Sequence, residues 1–254
     1  MTEWGMDRWK YFDITHRFHV VCNPTSVAKP EELIGLMRLE PGSLFLDIAC
    51  GKAEMLVRLA EAYDIRGVGV DLSPYFMKDA KELKRQRVPG SNLEFVNVNG
   101  AEYHWENTKK FDLSMCIGAS WIYDGHRGTL RAMKCMTRPG GIVMVGEPFF
   151  TEEPSEEYLT TEDFSRDEFS THYGNIQIGV EEGLTPLYTM VSNLDDRDRY
   201  ETLKWYAVDE FARNNPDDPV LPEIQARNAK AQEIFLRWGR ELFGWAIYLL
   251  RIQV

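Results

Sequence analysis

The sequence predicts an α/β fold in which helices cover a parallel β-sheet. Residues 44–48 (LFLDI) form a short apolar run, which is typical of a parallel strand buried on both faces. A turn of small residues around Gly51 follows, and from Glu54 the apolar residues recur at helical spacing. A second apolar segment, residues 66–72 (RGVGVDL), comes after that helix. Strands that alternate with helices in this way indicate parallel strands joined by crossover helices.

A nucleotide site is predicted where the first strand meets its helix, because a helix begins with unpaired N–H groups at its positive end. A dinucleotide fold would have G-x-G-x-x-G after this strand. Here only Gly51 is present, and Asp47 at the end of the strand would repel a pyrophosphate but suits a cationic ligand. Asp71 ends the second strand and is placed to accept hydrogen bonds from both ribose hydroxyls. An adenosine ribose, a cation and no phosphate point to S-adenosylmethionine.

Three segments carry a resemblance to a known family: LDIACGKAE, GVGVDLS and TRPGGIVMVGEP. In order and spacing they resemble the motifs of class I S-adenosylmethionine-dependent methyltransferases. The C-terminal DRYE, KWY, NPDDP and FGWA segments resemble those of small bacterial and archaeal members whose methyl acceptor is often unknown. The family loop is usually D-x-G-x-G-x-G, whereas Ala49 and Ala53 replace two of its glycines here, and alanine disfavours positive φ. The resemblance implies a Rossmann-like seven-stranded sheet of order 3-2-1-4-5-7-6, with the last strand antiparallel and helices on both faces.

The resemblance also implies which residues contact S-adenosylmethionine and its product S-adenosylhomocysteine. Asp47 would face the methionine amino group and the sulfonium, and Asp71 would hold the ribose. The side-chain oxygen of Asn99 could accept the adenine amino group, although Asn-Gly is also a common turn dipeptide. The expected cofactor contacts are Asp47, Ala49, Gly51, Asp71, Leu72, Met77, Asn99, Gly100, Ala101 and Ile117.

We expect one methyltransferase domain over residues 1–254. Its expected parts are a lid segment (1–30), a cofactor-binding core (31–150), an insertion over the active site (151–185) and a sheet edge with a helical insertion (186–254). Further strands are predicted at 93–98, 111–117, 142–146, 187–192 and 243–252, with a turn at 138–141 and helices at 196–214 and 222–240. The insertion shows little helical periodicity. His16, His19 and Cys22 would share a helix face, but no fourth ligand is apparent, so no metal site is predicted.

Methyl transfer from a sulfonium is an in-line displacement, so the main requirements are alignment and exclusion of water. A base is needed only if the acceptor must lose a proton. The candidates are His126, Glu147 and Tyr11, although His126 could be an exposed first-turn residue and Glu147 a helix cap. The expected acceptor contacts are Trp121, Tyr123, His16 and His172. Trp121 and Tyr123 could instead be core residues, and His16 could be a polar residue of the lid.

The composition of the chain limits the classes of molecule that it can bind. The chain has 254 residues and a formal net charge of −11, which argues against a phosphate-tracking surface and hence against nucleic acid. The four cysteines form no C-x-x-C, and the longest apolar run, 242–252, is short of the ~20 residues of a membrane helix. We therefore expect a cytoplasmic enzyme that acts on a small-molecule acceptor, away from membranes. The alternatives are a protein (less readily RNA) methyltransferase, a non-catalytic S-adenosylmethionine-binding regulator and a dinucleotide oxidoreductase; the oligomeric state stays open.

Overall fold

The computed structural model describes residues 6–105 and 110–253. Seven strands of this part of the chain form one sheet of order β3-β2-β1-β4-β5-β7-β6, as predicted. The first five strands are parallel, and β7 pairs antiparallel with both β5 and β6. The strands are β1 (Leu44–Ile48), β2 (Arg66–Asp71), β3 (Asn92–Asn97), β4 (Phe111–Ile117), β5 (Thr137–Phe150), β6 (Leu184–Val191) and β7 (Phe243–Ile252).

Helices cover both faces of the sheet and one of its edges. None of those in the described residues is long and apolar enough to cross a lipid bilayer. The helices are α1 (Arg8–Thr15), α2 (Ala28–Met37), α3 (Glu54–Ala62), α4 (Pro74–Arg87), α5 (His126–Met136), α6 (Glu156–Glu162), α7 (His172–Glu181), α8 (Leu194–Asn214), α9 (Leu221–Ile234) and α10 (Arg240–Leu242).

The sheet lies between two hydrophobic layers, as the apolar strands require. On one face Leu33 of α2 and Leu56 of α3 pack with Met144 and Ile247 of the sheet. On the other face Leu130 of α5 packs against alternate residues of the same strands. All five residues of β1 are buried, which explains why its residues other than Asp47 are apolar and do not alternate with polar ones. The carboxyl ends of β1, β2 and β4 therefore open at one edge, where α/β sheets bind ligands.

The N-terminal helix α1 packs against the C-terminal helices α8 and α9 and against α4. Met6 and Ile14 form a small apolar cluster with Val208 of α8 and Ile224 of α9. The chain after α1 then passes over the carboxyl edge of the sheet before α2 begins. This arrangement places residues from both ends of the chain above the predicted nucleotide site.

Several local predictions were wrong. The strand predicted at 142–146 extends over Thr137–Phe150, because β7 pairs with it as far as Phe150, and the turn predicted at 138–141 is an irregularity within that strand. The insertion at 151–185 contains α6 and α7 despite its weak periodicity.

The lid segment also differs from its prediction. Helix α1 ends at Thr15, so His16, His19 and Cys22 do not share a helix face. Among the described residues no cluster of three or more His, Cys, Asp or Glu could hold a metal ion.

Candidate cofactor and acceptor site

The turn after β1 contains three residues with left-handed backbone conformation. Ala49, Gly51 and Ala53 have φ values of 58°, 55° and 63°. Backbone hydrogen bonds fix the turn: Cys50 donates to the carbonyl of Val70, and Ala53 donates to the carbonyl of Cys50. The turn thus adopts left-handed backbone at Ala49 and Ala53, at a cost of about 1 kcal/mol per residue. Helix α3 begins directly after Ala53, with no side chain capping its first turn.

Asp71 joins the ends of β1 and β2. Its Oδ2 accepts a hydrogen bond from the backbone N–H of Gly51 (2.9 Å), and its Oδ1 accepts one from Ser73 (2.8 Å). Burial raises the pKa of Asp71, while these backbone N–H groups act to lower it. Each carboxylate oxygen keeps a further lone pair for another donor.

Asp47 is the second carboxylate of the site. Its side chain is 3% exposed, and burial together with the charge of Asp71 raises its pKa well above the usual range. A buried carboxylate beside another carboxylate favours a cationic ligand, since a nearby positive charge stabilises its ionised form.

Two cavities adjoin this turn. The first, the loop cavity, has a volume of about 60 Å³ and is lined by Asp47 and the turn after β1. The second, the edge cavity, has a volume of about 150 Å³ and lies across the carboxyl ends of β1, β2 and β4. The predicted cofactor residues that line one or both are Asp47, Ala49, Gly51, Asp71, Leu72, Asn99, Gly100 and Ile117.

The structure places two of the predicted cofactor residues outside these cavities. Met77 is buried in the core, and its neighbour Phe76 lines the edge cavity instead, because α4 directs successive side chains about 100° apart. Ala101 is exposed, and its backbone N–H donates to Oδ1 of Asn99 (3.1 Å). Asn99 therefore caps a 3₁₀ turn, as one of the two alternatives predicted, and it also lines the edge cavity.

The segment after α1 closes the edge cavity from above. Nζ of Lys52 donates to the carbonyls of His16 (2.8 Å), Arg17 (3.3 Å) and His19 (3.3 Å). Nδ2 of Asn23 donates to the carbonyl of Ile117 (3.2 Å) at the end of β4. The segment is thus attached to two of the strand ends that form the site.

His16 connects this segment to helix α8 and lines the edge cavity. Its Nδ1 donates to the carbonyl of Phe12 (3.2 Å), so its Nε2 accepts from the hydroxyl of Tyr200 (2.9 Å). Burial lowers the pKa of His16 well below its usual value, which keeps the imidazole neutral. Tyr200 is a further lining residue.

A third and larger cavity, the helical cavity, has a volume of about 590 Å³. It lies between the N-terminal segment, helices α8 and α9 and the start of β7. Arg8 and Phe12 line both the edge cavity and the helical cavity, so the two are neighbours. Tyr11 lines the helical cavity, and burial raises the pKa of its hydroxyl. Trp121 lines the edge cavity, where the guanidinium of Arg8 lies 4.5 Å from its ring centroid.

The other candidate catalytic and acceptor residues lie outside the lining of these cavities. His126 is buried; its Nε2 donates to the backbone carbonyl of Asn175 (3.1 Å), and burial lowers its pKa to about 4. His172 stacks on Tyr248 and contacts the Tyr248 hydroxyl through Nδ1 (3.1 Å). Tyr123 donates its hydroxyl to the carbonyl of Gly100 (2.9 Å). These contacts favour supporting roles for the three side chains.

Glu147 lies within β5, opposite Ala246 of β7, and is 3% exposed. Its Oε1 accepts from the hydroxyl of Ser120 (3.0 Å), and its buried Oε2 has no hydrogen-bond partner among the described residues. Burial raises the pKa of Glu147 to about 7. The side chain faces the α5 side of the sheet, with Tyr248 and Cys116, and not the cavities.

Sequence reasoning missed the residues that the C-terminal helices contribute. Arg197, Glu201 and Lys204 lie at i, i+4 and i+7 of α8, and Arg227, Lys230 and Ile234 follow a similar spacing on α9. That periodicity was available in the sequence, but polar residues at helical spacing are usually a solvated face. Only the packing of α1 against both helices turns these faces inward.

Comparisons with known proteins agree with this geometry. A family model described as a methyltransferase domain matches residues 45–141. The crystal structure of an S-adenosylmethionine-dependent methyltransferase from Thiobacillus denitrificans, in complex with S-adenosylhomocysteine, is 30% identical, with a TM-score of 0.88; the match covers 98% of this chain and 100% of that one. The corresponding structure from Geobacter sulfurreducens is 29% identical, with a TM-score of 0.88, over 95% and 97% of the two chains.

A third relative is YjhP of Escherichia coli, an uncharacterized protein. It is 29% identical over 96% of this chain and 99% of its own length, and its crystal structure superposes with a TM-score of 0.89.

These similarities define the class of protein. The chain belongs to the class I S-adenosylmethionine-dependent methyltransferases. It is an enzyme, and S-adenosylmethionine is its methyl donor. The predictions of the fold, the family and the cofactor are confirmed.

Proposed function

We propose that the loop and edge cavities together bind S-adenosylmethionine. The residues present fit that molecule: the buried Asp47 suits its cationic methionine end, and Asp71 suits the ribose hydroxyls. Leu72, Phe76 and Ile117 provide apolar walls for the adenine ring. A carboxylate at each end with no basic phosphate cradle between them distinguishes this site from a dinucleotide site.

Binding requires the segment over the cavities to move. Cavities that hold ligands of this size usually measure about 300 Å³ or more. The loop and edge cavities measure only about 60 and 150 Å³, with Cys22 and Asn23 lining both. We propose that the chain between α1 and α2 shifts outward as the ligand enters and then closes over it, which excludes water from the reaction.

The methyl acceptor is a small molecule held in the helical cavity. The observation that carries this proposal is the position of that cavity: it adjoins the edge cavity through Arg8 and Phe12, and its volume of about 590 Å³ suits one small ligand. Helices α1, α8 and α9 line it.

The chemistry supplied by the bound cofactor is methyl transfer from a sulfonium, for which alignment is the main requirement. Of the three predicted catalytic candidates, Tyr11 is the one that lines the helical cavity proposed for the acceptor. A tyrosine hydroxyl is protonated at neutral pH, and burial raises the pKa of Tyr11 further, so Tyr11 is suited to donating a hydrogen bond to the acceptor. His126 and Glu147 would contribute stability and not proton transfer.

Calorimetric titration with S-adenosylhomocysteine, with NADH alongside, tests the cofactor site. We expect S-adenosylhomocysteine to bind the wild type and NADH not to bind. Incubation with S-adenosylmethionine carrying a labelled methyl group and a panel of small molecules then tests the acceptor. Label transferred to a small molecule supports the proposal. Label transferred only to protein or RNA, or cofactor binding without turnover on any of them, overturns it in favour of a macromolecular methyltransferase or a regulator.

A further inference from the structure

The helical cavity is strongly cationic, although the protein as a whole carries a net charge of −11. Its lining contains five basic side chains and two acidic ones, Glu162 and Glu201. The basic residues are Arg8, Arg197, Lys204, Arg227 and Lys230. An excess of three positive charges in a cavity of an acidic protein is unlike a solvated face, where the two signs are mixed.

Arg197 is the most buried of the five, with 8% exposure. Its guanidinium donates to the backbone carbonyls of Gly239 (2.5 Å) and Arg240 (3.0 Å), and no carboxylate of the described residues forms an ion pair with it. Glu201, one turn along α8, pairs instead with Lys204 (2.5 Å). Glu201, Asp198 and Glu241 stabilise its charge, but each is bonded to another cation, so an acidic ligand would be the first carboxylate or phosphate bonded directly to this buried guanidinium among the described residues.

Each of the other four basic residues already has a partner, which is an acid for Lys204, Lys230 and Arg227 and a set of aromatic rings for Arg8. Arg227 pairs with Glu223, which does not line the cavity, and its guanidinium lies over the ring of Tyr11 at 5.2 Å. Arg8 lies over aromatic rings at the boundary with the edge cavity. Glu162 faces Lys230.

The rest of the lining is apolar and largely aromatic: Phe12, Tyr158, Phe235, Phe243 and Trp245. Fixed arginines are matched to carboxylate and phosphate oxygens, which accept two hydrogen bonds from one guanidinium. Aromatic walls are matched to a flat or apolar body.

We propose that the methyl acceptor is a small organic acid: an apolar or aromatic body that carries a carboxylate or phosphate group, held by the basic side chains of α8 and α9. This inference rests on the proposed function, since it names the substrate class of the same cavity. The acidic group binds against the C-terminal helices, and the body extends past Phe12 toward the cofactor. A neutral or cationic acceptor would bring no negative charge to Arg197 and Arg8, for which the described residues provide no bonded carboxylate.

The test is a calorimetric titration of the S-adenosylhomocysteine-saturated protein with three matched probes: phenylacetate, phenyl phosphate and phenylacetamide. The two acids differ in the type of acidic group, and the amide has the shape of phenylacetate without the charge. We expect at least one acid to bind, with an affinity that falls as salt increases, and the amide not to bind. The stronger acid identifies the acidic group.

The double variant Lys204→Gln/Lys230→Gln removes two cations of the cavity and leaves Arg197 with its backbone contacts. The control Arg199→Gln/Arg213→Gln removes two exposed cations of α8 that pair with neighbouring acids, so the net charge changes equally. We expect the cavity variant to bind the acid at least about tenfold more weakly and the control to match the wild type.

Equal binding of acid and amide, binding of neither acid, or an equal loss in both double variants would overturn the inference. S-adenosylhomocysteine binding, measured in the same samples, keeps the two proposals apart. If that binding fails, the cofactor site is wrong. If it holds and labelled methyl groups are transferred to a neutral acceptor, the proposed function stands and the organic acid does not.

Discussion

The backbone N–H of Gly51 donates to Oδ2 of Asp71 over 2.9 Å, so the carboxylate predicted to hold the ribose also fixes the turn after β1. The other oxygen of Asp71 accepts from Ser73, the residue that caps α4. One side chain therefore joins the two loops that form the proposed cofactor site. Any change at Asp71 alters the shape of the site as well as its chemistry.

Replacing Asp71 with asparagine should weaken S-adenosylhomocysteine binding by more than tenfold. The amide would place N–H groups opposite at least one backbone donor, so the unfolding free energy should also fall by about 1–3 kcal/mol. Calorimetry and chemical denaturation measure the two effects. Asp64→Asn, an exposed change in the loop before β2, serves as the control and should alter neither. Unchanged binding in Asp71→Asn would contradict the assignment of Asp71.

Replacing Lys52 with methionine should release the segment between α1 and α2. The apolar stem is kept, but the carbonyls of His16, Arg17 and His19 lose their shared donor. We expect faster amide hydrogen exchange in residues 16–25, measured by mass spectrometry, while exchange in β1 and β4 is unchanged. Lys78→Met on the exposed side of α4 is the control. Equal exchange in both variants would show that Lys52 does not hold the segment.

Glu147 should make stability depend on pH. Its pKa is raised from 4.5 to about 7, so the folded state binds more protons than the unfolded state between these values. The stability that this group contributes is fully present below about pH 4.5 and is lost as the pH rises through about 7.

Glu147→Gln removes that titration. The unfolding free energy of the wild type relative to Glu147→Gln should therefore fall by ~2 kcal/mol between pH 5 and pH 8, in denaturation measured at each pH. A difference that stays constant, or rises with pH, would mean that Glu147 is not buried as described.

Replacing Ala49 with glycine should leave the unfolding free energy unchanged or raise it by up to about 1 kcal/mol. Glycine removes the strain of alanine at φ 58°, and this gain is offset by the greater freedom of glycine in the unfolded chain. Ala60→Gly within α3 is the matched control and should lower the unfolding free energy by about 1 kcal/mol. Similar losses in both variants, in thermal or chemical denaturation, would show that the turn does not strain Ala49.

The sequence determined the parallel strands and the cofactor, whereas the order of the sheet was predicted from the resemblance of its motifs to a known family. The apolar run of β1, the acids Asp47 and Asp71 that follow two strands, and the small residues around Gly51 are local signals, and each depends on neighbours within a few residues. Parallel strands bring their carboxyl ends to one edge, so these local signals were sufficient to place the predicted cofactor residues together. Met77 was predicted to line the cavity, but Phe76 does so instead. Local signals cannot decide this, because a shift of one position along a helix moves a side chain from the core to the cavity.

Only the tertiary structure decided where the residues proposed to bind the acceptor lie. Arg8 precedes both Arg197 and Arg227 by more than 180 residues in the sequence. Helix α1 brings the three together by packing on α8 and α9. The length of β5 was decided by its pairing with β7, which carries Glu147 into the sheet interior on the face away from the cavities. A histidine or glutamate near a strand end has the same local sequence on either face. Whether it meets a ligand or a core tyrosine depends on long-range packing, and that information is not contained in any short segment.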